Sequence, residues 1–130
     1  PGYGAQTSAA DYLNFLIMLM NKGVFEGKRV LSEASVEELS RSQLGEMDIA
    51  YTPPATIGYD YGLGNWIVAK YESGKARILT SPGLPGSWPI LDLCRKYAAI
   101  LFVEPKANEQ KREWAETFRE IIEEAIGECE

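Results

Sequence analysis

Between residues 59 and 103 the chain passes through a succession of short β-type segments separated by turn signals, and nothing else in its 130 residues constrains the fold so tightly. From 59 to 71 aromatic and β-branched residues mix with glycines. Ser73-Gly74 then supplies a turn ahead of a segment at 76–80, a pattern that reads as a β-hairpin. Two further strands, at about 87–93 and 97–103, flank Arg95-Lys96. Connections this short favour antiparallel pairing between strands that are neighbours in sequence.

Helical patterns lie on either side of these strands. Thr7 or Ser8 can cap a first helix, in which Tyr12, Phe15, Leu16 and Leu19 recur at helical spacing; Leu13, Ile17 and Met20 widen the stripe until Gly23 ends it. Apolar nearly all round, this helix is expected to be buried. Gly27-Lys28 then reads as a tight turn between small extended pieces. Ser32 or Ser35 starts a second helix, with Ser35 and Glu38 spaced as a capping box and Val36 and Leu39 facing inward. Residues 46–58, with Pro53-Pro54 and Gly58, lack periodicity and read as an irregular surface loop. Near the end, Asn108 can cap a last helix whose stripe is Trp114, Phe118, Ile121, Ile122 and Ala125, closed by Gly127. An antiparallel sheet with helices before and after it is an α+β plan in which the helices cover the sheet, built as one unit over residues 1–130.

Composition removes more chemistry than it suggests. Nineteen acidic residues against 13 basic give a net charge of −6, with no Lys/Arg stripe, so no nucleic-acid partner is expected. Histidine is absent, which excludes Ser-His-Asp and Cys-His triads and histidine metal sites, and no cofactor is expected. Cys94 and Cys129 match no zinc or redox spacing and are read as free thiols rather than as a disulfide. The longest apolar stretch, at 12–20, is half of the roughly 20 residues a membrane helix needs, so no membrane span is expected. The chain opens at Pro1 without an initiator Met or signal-peptide core and reads as a piece of something longer.

Gly62-x-Gly64 lacks the third glycine of a dinucleotide loop and reads as strand glycines at a bulge or a close backbone approach. Asp60, Asp92 and the glutamates read as solvated surface carboxylates. The unusual backbone is at 80–86, Thr-Ser-Pro-Gly-Leu-Pro-Gly, where two prolines and two glycines follow directly on a strand. Such punctuation fixes a strand-end geometry, which either joins two strands plainly or builds a site.

Several stretches in order resemble the C-terminal part of the serine β-lactamase and penicillin-binding-protein family, especially its class C-like and esterase-like members. Pro1-Gly2-Tyr3-Gly4-Ala5-Gln6-Thr7-Ser8-Ala9-Ala10-Asp11-Tyr12 is similar to a family segment leading into a buried helix. Gly23-Val24-Phe25-Glu26-Gly27-Lys28-Arg29-Val30-Leu31-Ser32 resembles the stretch after that helix, and Tyr61-Gly62-Leu63-Gly64-Asn65-Trp66 a family strand. The family's third active-site motif, Lys-Thr-Gly or His-x-Gly, would fall at Ser81-Pro82-Gly83, with Pro89-Ile90-Leu91-Asp92 downstream.

The resemblance implies a β-lactamase/DD-peptidase-like fold, a catalytic role for Ser81 and for Leu84, the latter through an oxyanion-hole backbone amide, and a substrate-binding role for Pro82 and Gly83. No cation stands at Ser81; its hydroxyl can hydrogen-bond but carries no charge, which favours a neutral ester or amide over a carboxylate-bearing β-lactam. The family's Ser-x-x-Lys occurs nowhere in the chain. Tyr12-Leu13-Asn14 formally fits the second motif, Tyr-x-Asn, but falls inside the apolar helix and reads as core packing. The expected identity is therefore the C-terminal segment of a penicillin-binding-protein-like serine hydrolase, inactive alone and prone to self-association through its first helix. Location outside the cytoplasm is implied by family only. The rival reading is a non-catalytic protein-interaction module of the same fold.

Overall fold

The computed structural model describes residues 6–83, 86–102 and 111–129. Helix α1 (Ala9–Met20) begins at Ser8, whose hydroxyl accepts the Asp11 amide proton at 3.1 Å and donates to the Asp11 carboxylate at 2.7 Å. It stops where Lys22 and Gly23 take up φ of 53° and 89°. Strands β1 (Val24–Phe25) and β2 (Lys28–Arg29) pair across Glu26-Gly27, both in the left-handed region that a tight hairpin needs. Helix α2 (Glu33–Leu39) is capped by Ser32, which accepts the Ser35 amide proton at 3.0 Å. The expected Ser35/Glu38 capping box does not form, because Ser35 lies one turn inside the helix and its hydroxyl pairs with that of Ser32.

Strands β3 (Asp60–Tyr61), β4 (Trp66–Lys70), β5 (Ala76–Thr80), β6 (Ser87–Asp92) and β7 (Tyr97–Phe102) form a five-stranded antiparallel sheet in sequence order. The expected four strands become five because the segment at 59–71 is cut by a turn. There the Gly62 amide donates to the Asn65 carbonyl at 2.9 Å and Gly64 sits at φ 78°. The irregular stretch before it holds one 3-10 turn (Pro54–Thr56) and buries Thr56.

Alternation along the strands divides the core into two layers. Ile67, Leu79 and Leu91 face Leu16, Met18, Leu19 and Val36 of α1 and α2. Their strand neighbours Ile78 and Ile90 join Trp88 and Tyr97 on the opposite face, against Ala115, Phe118 and Ile122 of α3 (Lys111–Ile126). The α+β plan with helices on both faces of an antiparallel sheet is borne out.

Several expectations need correction. Helix α1 is not buried all round: Phe15 is exposed, because the sheet lies on one side of the helix only. The single stripe read for α3 divides in the same way. Ala115, Phe118 and Ile122 pack on the sheet while Trp114 and Ile121 are exposed; the expected cap, Asn108, lies outside the described residues. Cys94 and Cys129 are not free thiols but a disulfide with Cα atoms 5.7 Å apart, brought together because α3 returns its C-terminal end to the β6–β7 turn.

Neither aspartate is a solvated surface group. Asp60 accepts the Ser42 hydroxyl (2.8 Å), the Tyr61 amide (2.7 Å) and the Lys70 ammonium. Burial alone would raise its pKa, but those three donors outweigh it and hold the carboxyl below the ordinary range. Asp92 is 0% exposed and serves as acceptor for the Cys94 and Arg95 amides, both at 2.8 Å, and for the Arg95 guanidinium at 3.1 Å. Arg95 continues to the Gly127 carbonyl at 3.0 Å and to Glu123 at 3.8 Å, tying the β6–β7 turn to the end of α3. Among the described residues no helix is long and apolar enough to cross a membrane.

Three phenols titrate above their usual range in this packing. Burial raises Tyr12 and Tyr59, and burial together with the Glu123 and Asp92 charges raises Tyr97 furthest. A group whose folded pKa is raised holds its proton more tightly folded than unfolded, so stability is intact below the ordinary tyrosine value of about 10 and falls as pH rises above it. Urea midpoints are expected to be flat from about pH 8 to 9.5 and to decline above pH 10, less steeply in Tyr97→Phe. A midpoint that rises above pH 10, or a Tyr97→Phe slope equal to the parent's, would contradict this.

Candidate functional site

The pairing of β4 with β5 ends at Trp66 and Thr80, and the β5 backbone runs on into Ser81, Pro82 and Gly83 with no further β4 residue beside it. Pro82 has no amide to continue a ladder. On the other side the strand end is held down: the Gly83 amide donates to the Ser87 carbonyl at 2.8 Å, and the Gly86 amide to the Gly83 carbonyl at 2.9 Å. Thr80 is buried, its hydroxyl donating to the Pro89 carbonyl at 2.6 Å. One side of the segment is thus fastened to β6 and the other left open. Ser81, Pro82 and Gly83 are half-buried; Leu84, read as the oxyanion-hole donor, lies outside the described residues.

The open side is bounded by a turn that the sequence marked only through its glycines. Asn65 donates from its side-chain amide to the Leu39 carbonyl at 2.9 Å and to Leu63 at 3.3 Å, fastening the start of β4 to the C-terminal end of α2. Gly62 is required there, since a Cβ would stand 2.6 Å from the Leu39 carbonyl oxygen and 2.7 Å from Asn65 Oδ1. Of the two readings for these glycines, Gly62 is therefore the close approach, while Gly64 serves the turn at φ 78°. Tyr61 and Trp66 meet edge to face at 4.8 Å. With Leu44, Ile49, Tyr51 and Pro53 they line an apolar groove of about 310 Å³.

The other face of the sheet has a larger groove, about 660 Å³, between α1 and the β6–β7 pair, bordered by Thr7, Asp11, Tyr12, Phe15, Ser87 and Phe102. Tyr12 of the Tyr-x-Asn triplet lies half-buried on α1 and packs against the core, whereas Asn14 is exposed. No group of three or more Cys, Asp or Glu side chains that could hold a metal ion occurs among the described residues. What the strand end can offer a ligand is a hydroxyl and a backbone edge that β4 does not cover. It offers no charge of its own.

No family model matches the chain. Two curated relatives from strains of Mycobacterium tuberculosis, "Uncharacterized protein MT1414" and "Protein Rv1367c", are each 34% identical over 93 residues. The matched region is 68% of this chain and 23% of theirs, so the chain spans about a quarter of the length of the curated relatives it matches. A crystal structure described as a putative beta-lactamase from Bacteroides dorei superposes with a TM-score of 0.67 at 21% identity. The fold is β-lactamase-like. The superposition covers 86% of this chain and 39% of the solved one, and at that identity it speaks for the fold alone.

Proposed function

We propose that this chain is the C-terminal segment of a serine hydrolase of the β-lactamase and penicillin-binding-protein kind, in which Ser81 to Leu84 form one wall of the cleft. The observation that carries the reading is the open strand end. Past Thr80 the β5 backbone is held by the Gly83–Ser87 bond on one side and free on the other, as a wall against which a substrate can lie must be. The parent reaction is acyl transfer to a serine outside these residues, followed by hydrolysis of the acyl-enzyme. In it the Leu84 amide donates to the developing oxyanion and the Ser81 hydroxyl hydrogen-bonds the substrate. With no cation at Ser81, the fitting substrate is a neutral ester or amide.

The 130-residue chain by itself is expected to turn over neither p-nitrophenyl esters nor nitrocefin and to take no fluorophosphonate label. In the longer protein, Gly83→Val is expected to lower kcat/KM roughly 10- to 100-fold, because a β-branched side chain enters the space the acyl group crosses. Ser81→Ala, which removes one hydroxyl worth about 1 kcal/mol, is expected to leave folding intact and reduce activity several-fold. If both variants remain within about twofold of the parent, the strand end is not the cleft wall and the interaction-module reading takes its place.

A further inference from the structure

Strand β6 lies between β5 and β7, yet it carries a proline within it: Pro89 is buried and pairs with Ile100 of β7. A proline has no amide to give a ladder, so inside a central strand it marks a bond that one neighbour goes without. The register identifies that neighbour. Ile78 stands opposite Asp92, Leu79 opposite Leu91 and Thr80 opposite Ile90. The Gly83 amide donates to the Ser87 carbonyl in the same register, which puts Ser81 opposite Pro89.

Alternation settles which backbone groups face β6. The Leu93 amide donates to the Arg77 carbonyl and the Gly83 amide to the Ser87 carbonyl. Odd-numbered residues of β5 and its continuation therefore turn their backbone groups to β6, and even-numbered ones turn theirs to the β4 side. At Ser81 the ladder calls for an amide from residue 89, where proline has none. Strand β5 accordingly ends at Thr80, and the next backbone bond to β6 is made from Gly83.

A side chain makes the missing connection. Thr80 turns its backbone to Trp66 of β4, while its hydroxyl donates to the Pro89 carbonyl at 2.6 Å. Thr80 is only 4% exposed, and a β-branched side chain has few rotamers in a strand, so the hydroxyl is held where it bonds. Thr80 is thus the last residue of β5 tied to both neighbouring strands. From it Ser81 and Pro82 run to Gly83 as a short segment fastened to β6 at its two ends.

We propose that Thr80 is a positioning residue for the strand-end site: its hydroxyl, bonded to Pro89, sets where Ser81 and Gly83 stand, and with them the Leu84 amide that follows. The inference rests on the reading of this strand end as a cleft wall. Buried and engaged with Pro89, Thr80 touches no substrate in that reading and acts through the backbone after it. What it governs is the placement of hydrogen-bonding groups toward developing charge, which weighs on the chemical step more than on binding.

The test sets Thr80→Val, which keeps the shape and loses the hydroxyl, against Thr80→Ser, which keeps the hydroxyl. In the 130-residue chain, Thr80→Val is expected to speed exchange of the Gly83 amide about tenfold relative to that of Leu79, a ratio that a general loss of stability would not move. In the longer protein with p-nitrophenyl butyrate, it is expected to lower kcat about tenfold with KM within about twofold, and Thr80→Ser to keep at least about a third of kcat. Adding Pro89→Ala to Thr80→Val supplies an amide for the Ser81 carbonyl and is expected to bring back most of the Gly83 protection and of kcat. That double variant decides if Thr80→Val alone does not fold. Equal losses in the Val and Ser variants, a loss confined to KM, an unchanged exchange ratio, or a double variant no better than Thr80→Val overturns the positioning role. A kcat that Gly83→Val reduces and Thr80→Val does not overturns that role alone; a kcat that neither reduces overturns the cleft-wall reading as well.

Discussion

Replacing Asp92 by alanine is expected to lower stability by about 3–5 kcal/mol, the cost of breaking a buried ion pair from one side. The carboxylate is fully shielded from water and closes the β6–β7 turn from within, one oxygen accepting two successive amides and the other the Arg95 guanidinium. Alanine leaves those two amides without their acceptor and Arg95 without its nearest counter-charge. Arg95 also reaches Gly127 and Glu123, so the loss propagates to the seating of α3. With an m-value of about 2 kcal/mol/M, the urea midpoint should fall by about 2 M. Asp92→Asn can still accept both amides through its Oδ1, but it loses the charge and sets its side-chain NH2 donor to donor against the Arg95 guanidinium, so at least roughly half the effect is expected. A midpoint in Asp92→Ala within about 0.5 M of the parent would mean that the turn holds itself without the carboxylate.

How much of this was legible depends on how local each cause is. The Ser8 and Ser32 caps and the Ser73-Gly74 and Arg95-Lys96 turns act within a few residues, and the elements they bound fall close to where the spacing puts them. The division between β3 and β4 was hidden because Gly62 is set by the Leu39 carbonyl, 23 positions away, and not by its neighbours. The exposure of Phe15, Trp114 and Ile121 was hidden likewise: periodicity gives a stripe, and the sheet decides which part of it is covered.

Asp92 did carry a readable signal. An aspartate two and three residues ahead of amides in a turn is the pattern of a side chain that accepts from its own following backbone. At the candidate site the Pro/Gly punctuation announced a fixed strand end at Ser81–Gly83, and that geometry is present. Its chemistry was not legible, because a strand end with no ionisable side chain expresses a function only through groups brought to it from elsewhere.

The disulfide is the other feature that spacing concealed, and removing it carries an effect of similar size. Cys94 and Cys129 close a loop of 35 positions, for which the loss of denatured-chain entropy corresponds to about 4 kcal/mol at 25 °C. Reduction, or Cys94→Ala with Cys129→Ala, is expected to lower the urea midpoint by about 2 M, chiefly through the unfolded state. It should also release the last turn of α3, where the Gly127 carbonyl and Glu123 would be left to hold Arg95 alone, so amides in the last turn should exchange faster than those near Ala115. The two corner devices share residues, because the Cys94 amide is itself a donor to Asp92. Their losses should therefore not add: the reduced Asp92→Ala protein should be less destabilised than the sum by about 1 kcal/mol or more, since each change already loosens what the other removes. Strict additivity in that cycle would separate the disulfide from the Asp92 turn, and a midpoint unchanged on reduction would show that the bond restrains nothing the fold does not already fix.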